Sequence, residues 1–204
     1  MNKLILIFCL TFFPIIYSIP ILGDNYYDNP ESYVSSIAQE TLNALNLPEE
    51  EIDKKVEIIS QIFLSNLAIK EISLFVLGPY RRSLKEEQRK EYFELLKNFI
   101  SEIYSVRLAS FPSGKFKVLS TSDSGRSGII VKTLIEFLDD PNPTKIDWRI
   151  IKKKNGEYKI FDIRVIGVWM AQEQRSTFTS FLSKNNGNID NLIDRIKSQL
   201  RKES

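Results

Sequence analysis

Histidine is absent from the 204 residues, and cysteine occurs once. Without histidine the chain lacks the side chain most used for acid–base work and metal ligation near neutral pH. The one cysteine, Cys9, sits in an N-terminal apolar run. A chain trimmed of that run has no disulfide, no thiolate nucleophile and no cysteine zinc site. Gly-rich phosphate loops, a nucleophile elbow and metal-ligand spacings are also missing, so no catalytic residue, metal site or cofactor is expected. No repeat or low-complexity tract interrupts the chain. Neither sign of charge dominates: the formal net charge is +2, with 26% charged and 43% hydrophobic residues. That balance excludes a bulk electrostatic hold on nucleic acid and suits one globular domain.

The long apolar run follows Lys3: Leu4-Ile5-Leu6-Ile7-Phe8-Cys9-Leu10, then Thr11-Phe12-Phe13-Pro14-Ile15-Ile16-Tyr17-Ser18. A positive start and an apolar stretch of roughly a dozen residues read as a secretory signal. A spanning helix needs about 20 apolar residues, and Pro14 breaks this run. Residues 1–18 are therefore read as a cleaved signal peptide, with cleavage as late as Gly23 as the second choice. Removal takes away Lys3 alone among the charges, leaving +1. Residues 24–30 are polar and Tyr-rich and read as a flexible mature N-terminus. Residues 31–204 form the domain.

Its first half reads as helical. Asn29 with Pro30 starts a helix running to about Asn46. Pro48-Glu49-Glu50-Glu51 opens a second, reaching about Leu67, with acids where the helix dipole favours them. A short apolar helix over Ile69–Leu77 ends at Gly78-Pro79. Ser83 with Glu86 predicts a capping box for a long helix. That helix carries Tyr92, Phe93, Leu96, Phe99, Ile100, Ile103 and Tyr104 on one stripe.

The second half reads as strands closed by helices. Asn155-Gly156 predicts a two-residue hairpin turn with Lys154 opposite Glu157. The register then pairs Ile150 with Phe161, Trp148 with Ile163, Arg149 with Asp162 and Asp147 with Arg164. It also sets Lys152 opposite Lys159. Gly128–Leu138 is a strand with Ile129, Val131, Thr133, Ile135 and Phe137 on one face, and Lys115–Thr121 is its neighbour. Helices are expected from Val168 to Lys184 and from Asn188 to about Arg201. The sum is an α+β domain: a curved antiparallel sheet with one apolar face, wrapped by N- and C-terminal helices.

Several segments together carry a resemblance. Val76-Leu77-Gly78-Pro79-Tyr80-Arg81-Arg82, Glu87-Gln88-Arg89, Tyr92-Phe93 and Tyr104 form the first set. Asp147-Trp148-Arg149, Lys159-Ile160-Phe161-Asp162-Ile163, Gly167-Val168 and Arg175-Ser176-x-Phe178 form the second. In this order and spacing they resemble the MlaC, or toluene-tolerance, family of periplasmic phospholipid shuttles, over roughly Phe63 to Phe181. Arg81 stands where the family has Trp, Trp169 where it has a small residue, and Gln174 where it has Tyr. The resemblance implies a sheet like that of the nuclear-transport-factor superfamily. It implies an apolar pocket around phospholipid acyl tails, with the headgroup in solvent. It also implies two partners: an outer-membrane lipoprotein-porin complex and an inner-membrane ABC transporter complex.

A buried apolar stripe is ordinary core unless something else marks it. With the resemblance, Phe75, Phe99, Ile103, Val131, Ile135, Phe161, Ile163, Val165 and Val168 become the candidate pocket lining. Arg81 and Arg82, just past the Gly78-Pro79 break, become candidate docking residues, with Lys152, Lys153 and Lys154 read as solvated or docking charge. Arg149, Asp162, Asp147 and Arg164 read as paired surface charges, with a docking face as the alternative. Two other functions stay open: a binding module for another apolar ligand, and an isomerase-like enzyme using Asp123 with Tyr104 or Tyr158.

Overall fold

The computed structural model describes residues 27–125, 128–137 and 141–203. The apolar run and its two cleavage points lie outside the described residues. Tyr27, expected in a flexible stretch, packs edge-on against Tyr33 at 5.1 Å, and its hydroxyl donates to Ser36 Oγ at 3.2 Å.

Helix α1, Pro30–Leu45, starts as its sequence dictates: the Asn29 side chain accepts from Ser32 N at 2.9 Å, with Pro30 in the first turn. A 3₁₀ turn over Glu49–Glu51 leads into α2, Ile52–Asn66. Helix α3, Ile69–Val76, ends at the 3₁₀ turn Gly78–Arg82. Gly78 is required there twice over. Its φ is +57°, and a Cβ on it would stand 2.7 Å from Thr179 Cγ2. Helix α4, Glu86–Phe99, does not begin at Ser83. Leu84 is buried in the helical core and Lys85 is extended, so the helix starts after Lys85, whose N–H donates to Gln88 Oε1 at 3.0 Å. The same helix runs into a π turn, Ile100–Tyr104, and then α5, Ser105–Ala109.

The strands β1 (Gly114–Asp123), β2 (Ile129–Phe137), β3 (Thr144–Lys152), β4 (Tyr158–Val165) and β5 (Val168–Trp169) form one antiparallel sheet in sequence order. Helices α6, Met170–Lys184, and α7, Ile189–Glu203, close the chain. Two bulges bend the sheet: Leu119 is the extra residue on β1, and Phe161 the extra residue on β4.

The β3–β4 hairpin is one residue longer at its tip than the Asn-Gly signal suggests. Lys153 N donates to Glu157 O at 2.8 Å and Gly156 N to Lys153 O at 3.0 Å, so the loop is Lys154-Asn155-Gly156. Near the tip Lys152 therefore faces Tyr158 and Ile150 faces Ile160, not Lys159 and Phe161. The Phe161 bulge then restores the expected register, and Arg149↔Asp162, Trp148↔Ile163 and Asp147↔Arg164 all pair. Removing the Lys152–Lys159 opposition frees Lys159, whose Nζ donates to Ser65 O at 2.7 Å.

Two cores result. Helix α1 lies on the sheet, burying Val34 and Ile37 against Val131, Trp148, Ile150 and Ile160. Thr133 sits on that apolar face with its hydroxyl satisfied: it accepts from Trp148 Nε1 at 2.9 Å and donates to Ile146 O at 2.8 Å. The second core joins α3, α4, α6 and α7 around Val76, Leu77, Tyr92, Leu96, Phe178 and Leu192. Tyr92 is fully buried there, and its hydroxyl donates to Ser73 O at 2.9 Å.

The β4–β5 turn carries a strained residue. Ile166 has φ +49° and is 81% exposed. A β-branched side chain in the left-handed region costs about 1–2 kcal/mol. Ile166→Asn is expected to stabilise the domain by about 1 kcal/mol, about 3 °C in Tm. Thermal unfolding followed by circular dichroism measures this; an unchanged or lower Tm would mean the turn holds no such strain.

Candidate functional site

An apolar slot of about 100 Å³ lies where the second core meets the sheet. Phe63 and Leu67 border it at the end of α2, Ile72 and Val76 on α3, and Leu96 and Phe99 on α4. Ile100 and Tyr104 come from the π turn, Ile163 from β4, and Met170, Ala171 and Gln174 from α6. Tyr104 and Gln174 are the only polar side chains among them. A larger groove, about 660 Å³, opens between α1, α2 and the β3–β4 hairpin. Its walls mix Glu40, Asn43, Gln61, Asn66, Glu157 and Lys159 with Tyr33, Leu47, Ile58 and Ile62, so it is amphipathic where the slot is apolar.

The candidate pocket residues divide. Phe99 and Ile163 line the slot. Ile103 is buried in the surrounding helical core, and Phe75 and Phe161 pack against it, ring to ring at 5.1 Å. Val131 belongs to the other core, beneath α1. Ile135 is buried on β2 away from the slot lining, and Val165 is half-buried. Val168 is 46% exposed, because the chain turns back at Ile166-Gly167 and carries it to the surface. Sequence reasoning passed over Phe63, Leu67, Ile72 and Val76. The all-apolar character of the short α3 helix was the available signal. Leu96, Ile100 and Tyr104 were already on the α4 stripe.

Of the charges paired across β3 and β4, the two carboxylates are buried and the two guanidinium groups half-buried. Asp162 is 3% exposed and Asp147 is 6% exposed. Asp147 pairs with Arg164. Asp162 Oδ1 accepts from Ile163 N at 2.9 Å and from Ala171 N at 2.8 Å, so it caps α6. Trp169 lies against both cations, 4.3 Å from the Arg149 guanidinium and 5.2 Å from that of Arg164. Burial raises the Asp162 pKa above the usual aspartate value, opposed by the two backbone N–H groups and by Arg149.

Arg81 and Arg82 are exposed on the 3₁₀ turn after α3. The hairpin lysines are less free: Lys153 pairs with Glu71 of α3, and Lys152 lies 5.2 Å from the Tyr158 ring centre. Asp123 is exposed at the end of β1 with its carboxylate accepting from Gly125 N at 2.7 Å. Tyr158 is three strands away and Tyr104 lines the slot, so the isomerase pairing is not assembled.

Residues 35–198 match the MlaC protein family. The chain belongs to the MlaC family. A curated member, the intermembrane phospholipid transport system binding protein MlaC of Haemophilus influenzae, is 27% identical over 124 residues. That match covers 60% of this chain and 57% of the relative, so the chain spans little more than half of that relative's length. Among solved structures, a phospholipid-binding protein from Ralstonia solanacearum, in complex with a phospholipid, superposes with a TM-score of 0.70. The superposition covers 83% of this chain and 96% of that one at 16% identity, and establishes a shared α+β fold.

The Asp162 cap is testable. Asp162→Ala leaves two backbone donors without their acceptor and is expected to cost about 2 kcal/mol. Asp162→Asn keeps an acceptor and should cost less than half of that. The folded pKa is raised, so the native protein binds its proton at higher pH than the unfolded chain does. Its stability relative to Asp162→Asn should therefore rise as pH falls from 7 towards 4. Urea titrations at several pH values check this, and an opposite slope would contradict the burial argument.

Proposed function

We propose that this chain is an exported periplasmic carrier of diacyl phospholipid. It holds the acyl tails and moves the lipid between an outer-membrane lipoprotein-porin complex and an inner-membrane ABC transporter complex of a Gram-negative cell. The apolar slot carries the reading: in a chain of the MlaC family, hydrocarbon walls from α2, α3, α4, β4 and α6 converge on one unfilled seam. The phospholipid-transport role in the name of the Haemophilus influenzae relative and the ligand of the Ralstonia solanacearum structure support the same class of cargo.

Burying an acyl chain contributes about 0.8 kcal/mol per CH₂, so releasing two tails into water costs about 20 kcal/mol or more. Spontaneous release is forbidden on that scale. The tails must pass to a docked partner along a continuous apolar path. No bond is made or broken and no cofactor is needed, so the chain acts as a carrier and not an enzyme. A slot of about 100 Å³ is smaller than the roughly 300–1,000 Å³ typical of small-ligand sites, so loading widens it. The π turn forms one wall, and π geometry weakens the helical hydrogen-bond ladder where that wall must yield.

Protein purified from the periplasm is expected to carry diacyl phospholipid, detected by organic extraction and mass spectrometry. Ala171→Leu fills the slot at a stability cost of about 1–3 kcal/mol and should at least halve the lipid recovered. A folded variant with full lipid load would place the tails elsewhere, the larger groove between α1, α2 and the β3–β4 hairpin being the next site to probe.

Arg81 and Arg82 are proposed as docking charges. Rim charges act mainly on association rate. The double change Arg81→Glu/Arg82→Glu should leave copurified lipid unchanged and slow transfer to a partner complex several-fold at low salt. An equal rate for variant and native protein would move the docking face elsewhere.

A further inference from the structure

The sheet's second face carries charge. Val131, Trp148 and Ile150 turn towards α1, and Ile146 and Ile163 lie on that side with them. The residues alternating with these point the other way. Strand register sets them in rows: Lys117, Leu134 and Lys145 in one, then Lys132, Asp147, Arg164 and Trp169 in the next. Lys115 stands opposite Glu136 on the same face. All four lysines are exposed, and none of them makes an ion pair among the described residues. Of the carboxylates in these rows, Asp147 is buried and held by Arg164, and Glu136 is exposed. A face kept soluble by charge alone mixes both signs. This one is mostly cationic in a chain whose net charge is only +2.

One end of the face is apolar instead. The β3–β4 ladder finishes at Ile146↔Val165, so Ile166 follows at the end that carries Lys145. Ile166 is 81% exposed in the left-handed region, and Val168 is 46% exposed. Between them, a Cβ on Gly167 would meet nothing within 4 Å. Trp169 closes the second row with its ring against the Arg149 and Arg164 guanidinium groups. Backbone strain that presents an apolar side chain to water stabilises nothing in the isolated domain, and such strain clusters where a chain makes its contacts.

We propose that this basic face and its apolar edge are the surface by which the protein rests on an anionic phospholipid bilayer. Lys117, Lys132 and Lys145 are drawn to the negative surface. Trp169 and the two guanidinium groups match the headgroup level, where tryptophan and arginine both find polar partners beside hydrocarbon. Ile166 and Val168 enter the acyl boundary. The lysines alone would suit any anionic partner. The apolar edge next to them selects a bilayer, in which charge and hydrocarbon are layered in that order. Few apolar side chains take part, so the hold is weak and reversible. The contact is separate from the cargo site, because Ile163 of the slot points to the opposite side of β4 from Arg164. Holding the protein at the membrane surface raises the rate at which it meets membrane-bound partners.

The probe is sucrose-loaded vesicles of phosphatidylcholine and phosphatidylglycerol, three to one, beside vesicles of phosphatidylcholine alone. Cosedimentation of the full-length mature protein is the readout. Native protein should bind the anionic vesicles at least tenfold better at low salt. Salt at about 1 M, where the screening length is about 3 Å, should remove most of that preference. Lys117→Gln/Lys132→Gln/Lys145→Gln should lower anionic binding at least fivefold and leave copurified lipid unchanged. Lys54→Gln/Lys90→Gln/Lys184→Gln removes the same charge from α2, α4 and α6 and should lower binding less than twofold. Ile166→Asn relieves strain and stays folded, and should weaken binding at both salt concentrations because hydrocarbon burial is not screened. Equal losses in the two triple variants would reduce the effect to net charge and overturn the face. An Ile166→Asn protein that binds as the native one does overturns the bilayer assignment. Native protein that ignores anionic vesicles overturns it too, and slower lipid transfer by the Lys117/Lys132/Lys145 variant would then assign these lysines to an acidic protein surface. Absence of copurified lipid refutes the carrier reading instead, and the vesicle result stands apart from it.

Discussion

The Asp162 carboxylate joins the two walls between which the slot lies. Its Oδ1 accepts from the backbone N–H groups of Ile163 and Ala171, and these two residues both line the slot. One buried oxygen thus sets where β4 stands relative to the first turn of α6. Burying a carboxylate is costly, and the raised pKa records that cost. Two backbone donors and the nearby Arg149 offset it, while Trp169 lies over Arg149 and separates it from solvent on that side. A neutral cap would hold α6 as well but would not draw Arg149 and Trp169 over the strand pair.

The seam beside that anchor exists because α2 divides its apolar residues between two neighbours. Ile62 faces the sheet core beneath α1, and Phe63 faces the slot. Phe161 makes a similar division on β4. As the bulge residue it leaves Ile160 facing Ile150 in the sheet core and turns its own ring to Phe75 on α3. Without the extra residue, a strict alternation would send Phe161 and Ile163 to one face and empty the contact with α3. The helical core and the sheet core are therefore tied at two places, and the space between those ties is not filled by side chains.

Much of this was legible in the residues. The α1 cap, the apolar face of β2 and the charge pairs of β3 and β4 follow from spacing and residue type alone. The hairpin tip was legible only in part. Asn-Gly favours a two-residue turn, but Lys153 reaches Glu71 on α3, and that tertiary pair goes with a loop one residue longer. A compensating bulge leaves no mark in a binary pattern. The slot was harder still. Val131 and Ile163 read alike as inward residues of the two strands that flank β3, and nothing local says that α1 covers one while the other borders an unfilled seam. Buried polar groups were misread for the same reason: Asp162 looks like any outward charge until β5 folds back to bring Ala171 N onto it.

The small size of the slot bears on how the proposed carrier would survive between partners. An open cavity large enough for two tails would present several hundred Å² of hydrocarbon, the scale at which exposed patches drive association. Walls built from Ile, Leu, Met and Phe close over such a space, because every contact regained between them adds dispersion and removes apolar surface from water. Tails that enter replace wall-to-wall contact with wall-to-tail contact, so loading exchanges one apolar interface for another. The driving term is then the removal of the tails themselves from water, about 0.8 kcal/mol per CH₂. The cost of widening falls on the backbone that must move. Of the slot's borders, α3 and α4 are pinned by Tyr92 donating to Ser73 O, and β4 and α6 by Asp162. The π turn that bears Ile100 and Tyr104 has neither pin among the described hydrogen bonds, and it is the wall that can yield without breaking the frame.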